Sequence, residues 1–304
     1  MRFAVIDVGT NSVKLHVGER SAAGAWQTVL DRAAVTRLGE GLDEHRVLQP
    51  EPIRRTADAV VEMVQEARDL GAGDIVAVAT AGMRIAENSA ELVEAVRDRC
   101  GVEIEVISGE EEARLAYVAA TSELDLAEGQ LVVFDTGGGS SQFTFGRPGH
   151  VDERFSLDVG AARFTARYGL DGVVSDEILA EARDAIATDL ARLDGRPRPD
   201  ALIGMGGANT NLAAVKHELA TYDSEVVQGT VLDRDEIDRQ IGLYQARSAD
   251  ERREIVGLQP ARAEVILAGA LIVGTVLDKL DCAELAVSDR GLRHGVIVER
   301  FGPR

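Results

Sequence analysis

Apolar residues fall into two patterns along this chain. Phe3-Ala-Val-Ile-Asp7 and Leu131-Val-Val-Phe-Asp135 are continuous apolar stretches that each end in an aspartate. Each leads into a glycine-rich turn and then a stretch with alternating side chains, to Leu15 in the first case and Phe143 in the second. That order predicts strand, tight turn, strand. A third strand is expected over 26–37, and Ile75–Ala79, 104–107, 201–205 and 285–287 read as short buried strands. The other pattern has helical spacing: Ile53, Ala57, Val60, Val61 and Val64 predict an amphipathic helix over about 50–70. Further helices are expected over 90–99, 160–193, 233–246 and 262–280, with a last one starting near Gly291.

Asp7 and Asp135 are 128 positions apart, a spacing that suits a duplicated domain rather than a solenoid repeat. Three strands followed by alternating helix and strand, twice over, is the order of a pair of ribonuclease-H-like α/β domains. We expect a first domain over 1–122 and a second over 123–290, with a helix over 291–304 returning to the first, and a cleft between the two.

Composition narrows the function. The 304 residues are 45% hydrophobic and 28% charged, ordinary for a globular chain. No signal-peptide core follows Met1-Arg2, and the apolar run Val265–Leu277 is too short to span a bilayer, so it reads as a buried helix. Cys100 and Cys282 have no metal-type spacing and suit a reducing cytoplasm. His16, His45, His150, His217 and His294 are scattered without a paired-ligand pattern and read as surface or packing residues. The net charge of -19 argues against a nucleic-acid surface. A polyanionic ligand would have to rely on local arginines and backbone amides.

The glycine turns are where such a site could form. In Asp135-Thr-Gly137-Gly138-Gly139-Ser140-Ser141, successive amides could cradle an anion, or the turn could be a plain hairpin. The matching turn through Gly9, Thr10, Asn11 and Ser12 favours the anion reading. Gly206, Gly207, Ala208 and Asn209 lie between a strand and a helix, where free amides and the helix dipole attract anions, and simple punctuation is the alternative. The equivalent stretch Thr80–Arg84 adds a guanidinium suited to phosphate. In Ser108-Gly-Glu110-Glu111-Glu112-Ala-Arg114, Ser108 and Glu111 fit a capping box, and Glu110 with Arg114 a surface pair. Glu112 shares a face with Leu115, Ala116 and Ala119, so it is expected to point inward as a general base or a satisfied carboxylate. Asp7 and Asp135 could hold Mg²⁺ or bond their own turns.

Together these stretches, with Pro260-Ala-Arg-Ala-Glu-Val-Ile-Leu-Ala-Gly269 and Ser288-Asp-Arg-Gly-Leu-Arg293, resemble the exopolyphosphatase / guanosine pentaphosphate phosphatase family of the actin-like superfamily. The resemblance implies that Glu112 activates water, Asp135 helps bind metal and Arg84 contacts phosphate. Where the family usually has a second metal carboxylate, this chain has Gln142. It further implies a cytoplasmic homodimer and, lacking extra C-terminal domains, a preference for shorter polyphosphates. The expected reaction is Mg²⁺-assisted, in-line hydrolysis of terminal anhydride bonds of inorganic polyphosphate. Guanosine pentaphosphate is the rival substrate, a non-catalytic polyphosphate or nucleotide sensor the rival class, and a sugar kinase less favoured because of Glu112.

Overall fold

The computed structural model describes residues 1–10, 12–21, 26–42, 46–122, 124 and 129–302. The chain divides into two compact units, Met1–Ala119 with Leu292–Arg304, and Ala120–Gly291. Asn11 and His45 lie outside the described residues.

The first unit is built on a five-stranded sheet of order β3-β2-β1-β4-β5. Strands β1 (Arg2–Val8), β2 (Ser12–Arg20) and β3 (Trp26–Val35) are antiparallel; β4 (Ala72–Ala79) and β5 (Ile104–Val106) run parallel to β1. Successive side chains of a strand face opposite ways. Ala4, Ile6 and Val8 therefore join the core packed under α1 (Pro50–Asp69) and α3 (Ser89–Cys100), which follows the short α2 (Ala81–Ile85). Phe3 and Val5 join a second core on the other face, beneath α4 (Gly109–Ser122) and the last helix, Leu292–Phe301. A central strand covered on both sides must be apolar throughout, which is why β1 reads as an unbroken run. The last helix lies so close to α4 that a Cβ on Gly295 would meet the Leu115 carbonyl oxygen at 1.9 Å.

The second unit repeats this plan. Its sheet runs β10-β11-β9-β6-β7-β8, with β6 (Leu131–Thr136), β7 (Ser141–Arg147) and β8 (His150–Leu157) antiparallel. Strands β9 (Ala201–Met205) and β11 (Glu284–Val287) continue it in parallel, and β10 (Val231–Asp233) closes the edge in antiparallel fashion. Helices α5 (Ala161–Tyr168), α6 (Asp176–Asp189) and α7 (Gly206–Lys216) lie in chain order before the four-residue α8 (Ser224–Val227). They are followed by α9 (Arg234–Gln245), the short α10 (Ala249–Arg252) and α11 (Ile266–Lys279). Every residue of α11 from Ile266 to Leu277 is buried, so the apolar run forms the central helix of this core. Among the described residues no helix is long and apolar enough to cross a membrane.

Four short elements, α2, α8, β10 and α10, have no counterpart in the sequence reading, because each is too brief to show a period. The last of these ends on Arg252, which is fully buried. Its guanidinium donates to the carbonyls of Leu170 at 2.7 Å, Tyr244 at 2.8 Å, Gly172 at 2.9 Å and Ala263 at 3.3 Å. Burial pushes its pKa down to about 10, still charged at neutral pH. It ties the end of α9 to the turn after α5 and to the segment before α11. Replacing Arg252 with Met leaves buried carbonyls without donors, at about 1–3 kcal/mol each. Urea denaturation followed by circular dichroism should therefore show a loss of about 3 kcal/mol or more for the second unit.

Candidate active site

In the first unit the hairpin between β1 and β2 closes by a hydrogen bond from Gly9 N–H to the Ser12 carbonyl, 3.0 Å. Thr10 projects from this turn toward α2: its Oγ1 accepts from Gly82 N–H at 3.0 Å, and its carbonyl accepts from Gly39 N–H at 2.8 Å. The Gly82 amide, expected to be free for an anion, is thus already used by Thr10. Two residues on, Arg84 leaves α2 and donates from Nη1 to the Ile107 carbonyl at 3.0 Å and to Glu112 Oε2 at 2.9 Å.

The fold therefore brings the expected phosphate-binding arginine and the expected water-activating glutamate into direct contact. Glu112 does not point into the core, as its helical phase suggested. Its side chain is 35% exposed and that of Arg84 29%. The reason is position: α4 begins at Gly109, and its buried face starts only at Leu115, one turn further on. Arg114 also differs from expectation. It pairs with Glu111 at 2.8 Å and with Glu299 of the last helix, so Glu111 turns its carboxylate to Arg114. Of the capping box, the bond from Glu111 N–H to Ser108 Oγ, 3.1 Å, is formed.

Asp7 is buried on the α4 face of the sheet, and burial raises its pKa although Lys14 and Arg293 pull it down. Lys14 is its cross-strand partner, with Nζ 3.7 Å from Oδ2. In the second unit Asp135 occupies the matching place, and its cross-strand partner is Gln142. Directly opposed residues of an antiparallel pair have Cβ atoms about 4.5–5.5 Å apart on one face. Asp135 and Gln142 thus offer one carboxylate and one amide side by side, whereas Asp7 already faces an ammonium.

The β6–β7 hairpin closes like the first, Gly137 N–H to the Ser140 carbonyl at 2.9 Å. The carbonyls of Gly137 and Gly138 accept from the first amides of α5, at Ala161 and Ala162, each at 2.9 Å. The turn approaches Gly160 so closely that a Cβ there would lie 2.4 Å from the Gly138 oxygen. Beside it α7 starts at Gly206, whose φ of +81° suits glycine alone, and a Cβ there would meet Asp135 Oδ1 at 2.0 Å. Thr136, Gly137, Gly138, Gly207, Ala208 and Arg262 line one small cavity. The glycine turn and the amide end of α7 form an anion-favouring side of it, and Ala161, Val265 and Ile266 form an apolar one.

Two expected ligands of that site point elsewhere. Ser141 is fully buried and donates to the Val159 carbonyl at 2.6 Å, because it faces the core side of β7. Asn209 is also fully buried, and its Nδ2 donates to the Met205 carbonyl at 2.7 Å, inside the first turn of α7. Ser140 Oγ accepts from Gln142 Nε2 at 2.7 Å, and Ser156 Oγ lies 3.3 Å from the same nitrogen.

Lys14 and Arg262 were not singled out from sequence. The first has a signal: each aspartate and its partner are seven positions apart (14 − 7 and 142 − 135), the register of the hairpin. Arg262 lies in the Pro260–Gly269 stretch that carries the resemblance, but its three-residue 3₁₀ turn, Pro260–Arg262, before α11 has no period that aims its side chain. A Cβ on Gly207 would lie 2.6 Å from its Cζ, so glycine is what admits the guanidinium to the α7 terminus.

Two sheets of one plan, each with an aspartate-ended central strand and a glycine hairpin, define a two-domain protein of the actin-like α/β fold. The family model described as the Ppx/GppA phosphatase family matches residues 17–302, and the chain belongs to that family. The crystal structure of the Aquifex aeolicus Ppx/GppA phosphatase, type II variant, superposes with a TM-score of 0.91 at 32% identity, covering 99% of each chain. Exopolyphosphatase 2 of Mycobacterium tuberculosis is 29% identical, covering 99% of each chain. The bifunctional 3-dehydroquinate synthase/phosphatase of Fusobacterium nucleatum is 28% identical over 97% of this chain, which spans 46% of that relative.

If Arg262 contributes charge to the cavity, Arg262→Gln should weaken competition by inorganic phosphate about tenfold or more, the scale of one charge-assisted hydrogen bond of about 1.5–3 kcal/mol. Thermal melting of the variant should stay close to wild type, which separates a binding role from a packing one.

Proposed function

We propose that this phosphatase is an exopolyphosphatase, releasing orthophosphate from the ends of inorganic polyphosphate. The observation that carries the reading is the Arg84–Glu112 pair, 2.9 Å apart and joined through α2 to the Thr10 turn. Relatives named exopolyphosphatase, matched along nearly the whole chain, support it. An arginine that holds a glutamate in one orientation can also meet a phosphate oxygen, so substrate and water are set by the same contact. The water oxygen attacks the terminal phosphorus, and the bridging P–O bond breaks on the opposite side with its electron pair leaving on the shortened chain. Glu112 accepts the water's proton, and the guanidinium and turn amides stabilise charge on the transferred group.

The residues present fit a hard cation at Asp135: one carboxylate beside the cross-strand amide of Gln142 is a donor set suited to Mg²⁺. Bound there, Mg²⁺ would offset phosphate charge. Asp7 fits it less well because of Lys14.

Phosphate release from a ladder of polyphosphates and from guanosine pentaphosphate, at matched concentrations with Mg²⁺, tests the assignment. Polyphosphate should be the faster substrate, and Glu112→Gln should lower turnover by about a hundredfold or more. Faster release from guanosine pentaphosphate would reassign the substrate. Binding without turnover would make the chain a sensor. A second expectation concerns the metal: Gln142→Glu adds a carboxylate beside Asp135 and should lower the Mg²⁺ concentration for half-maximal release by about tenfold.

A further inference from the structure

Away from both hairpin turns, the first unit gathers three side chains that sequence reading left scattered. His16 of β2 and Asp31 of β3 are cross-strand partners, and His294 comes down on them from the last helix. His16 Nδ1 lies 3.2 Å from Asp31 Oδ2, and His294 Nε2 lies 3.4 Å from the same oxygen. The imidazole rings are 4.4 Å apart between centroids. Both histidines are buried, while the aspartate side chain keeps 28% of its surface exposed.

We propose that His16, Asp31 and His294 form a binding site for a borderline divalent transition metal, Zn²⁺ or its analogues Co²⁺ and Ni²⁺, fastening the last helix to the sheet of the first unit. Two imidazoles and one carboxylate are a recognised donor set for such ions, and imidazole nitrogen disfavours Mg²⁺. Bonds of about 2.0–2.1 Å in a tetrahedral site place ligand atoms about 3.3 Å apart. Two edges of the cluster, 3.2 and 3.4 Å, match that spacing, and all three ligand atoms lie within 4.8 Å of one another. The exposed side of Asp31 leaves an approach for the ion and for a water as fourth ligand.

The opposing feature is Arg293, whose Nε donates to Asp31 Oδ2 at 3.0 Å. A metal on that oxygen has to displace the guanidinium, so Arg293 is a built-in competitor that limits affinity. The bond would close a loop from residue 16 to residue 294, and longer closed loops gain most from such a clip in theory.

The test uses the full chain, stripped of metal and titrated with Co²⁺ and then Zn²⁺. One equivalent of Co²⁺ should give visible ligand-field bands in wild type and in Asp135→Asn, and His294→Gln should abolish them. Arg293→Gln should bind more tightly than wild type. A measurement that needs no variant is imidazole NMR: one equivalent of Zn²⁺ should shift two of the five histidines. No bound equivalent in wild type, bands that survive His294→Gln, or histidine resonances unmoved by Zn²⁺ would overturn the proposal.

Discussion

The bond that closes each glycine hairpin, Gly9 N–H to Ser12 and Gly137 N–H to Ser140, fixes what can happen at the end of the central strand. It pins the register of the two strands it joins, and that register decides which side chain stands opposite the aspartate. It also turns the following backbone back over the strand end, where a side chain would fill the space and glycine leaves it open. In the second unit the carbonyls of that turn are taken up by α5, so the position of an entire helix depends on the same few residues. The candidate chemistry in each unit follows from this local geometry more than from any single reactive group.

The two units share that geometry and differ in charge. Opposite Asp7 stands Lys14, so the pair is internally neutralised and its carboxylate is buried. Opposite Asp135 stands Gln142, which supplies an oxygen and no charge. A duplicated frame thus sets a cation opposite one aspartate and an uncharged amide opposite the other. The candidate base Glu112 comes from outside the hairpins and is held by Arg84.

Much of the fold was legible because the long elements have periods. The run Val265–Leu277 reads as one buried helix, and the two strand–turn–strand units announce a repeated domain. What escaped was set by tertiary structure. Strand β10 exists through pairing with β11, and α10 is positioned by Arg252. Helical phase put Glu112 among Leu115 and Ala119, yet phase says nothing about where along a helix the core begins. The same limit applies to Ser141 and Asn209: their side chains belong to motifs of glycine and hydroxyl residues, and only the strand face and helix turn show that both are spent on backbone carbonyls.

Charge gives the last step. With a net charge of -19, long-range attraction for a polyanion is unfavourable, and screening at physiological ionic strength confines any favourable field to about 8 Å. Binding must then come from groups in contact with the ligand. In the first unit acidic residues are committed locally: Glu112 is paired with Arg84, Asp7 with Lys14, Glu111 and Glu299 with Arg114. Arg262, by contrast, reaches the cavity at the start of α7, where the helix adds its own partial positive charge. An acidic protein can hold an anion where backbone amides, which carry no net charge, and a nearby guanidinium supply the contacts.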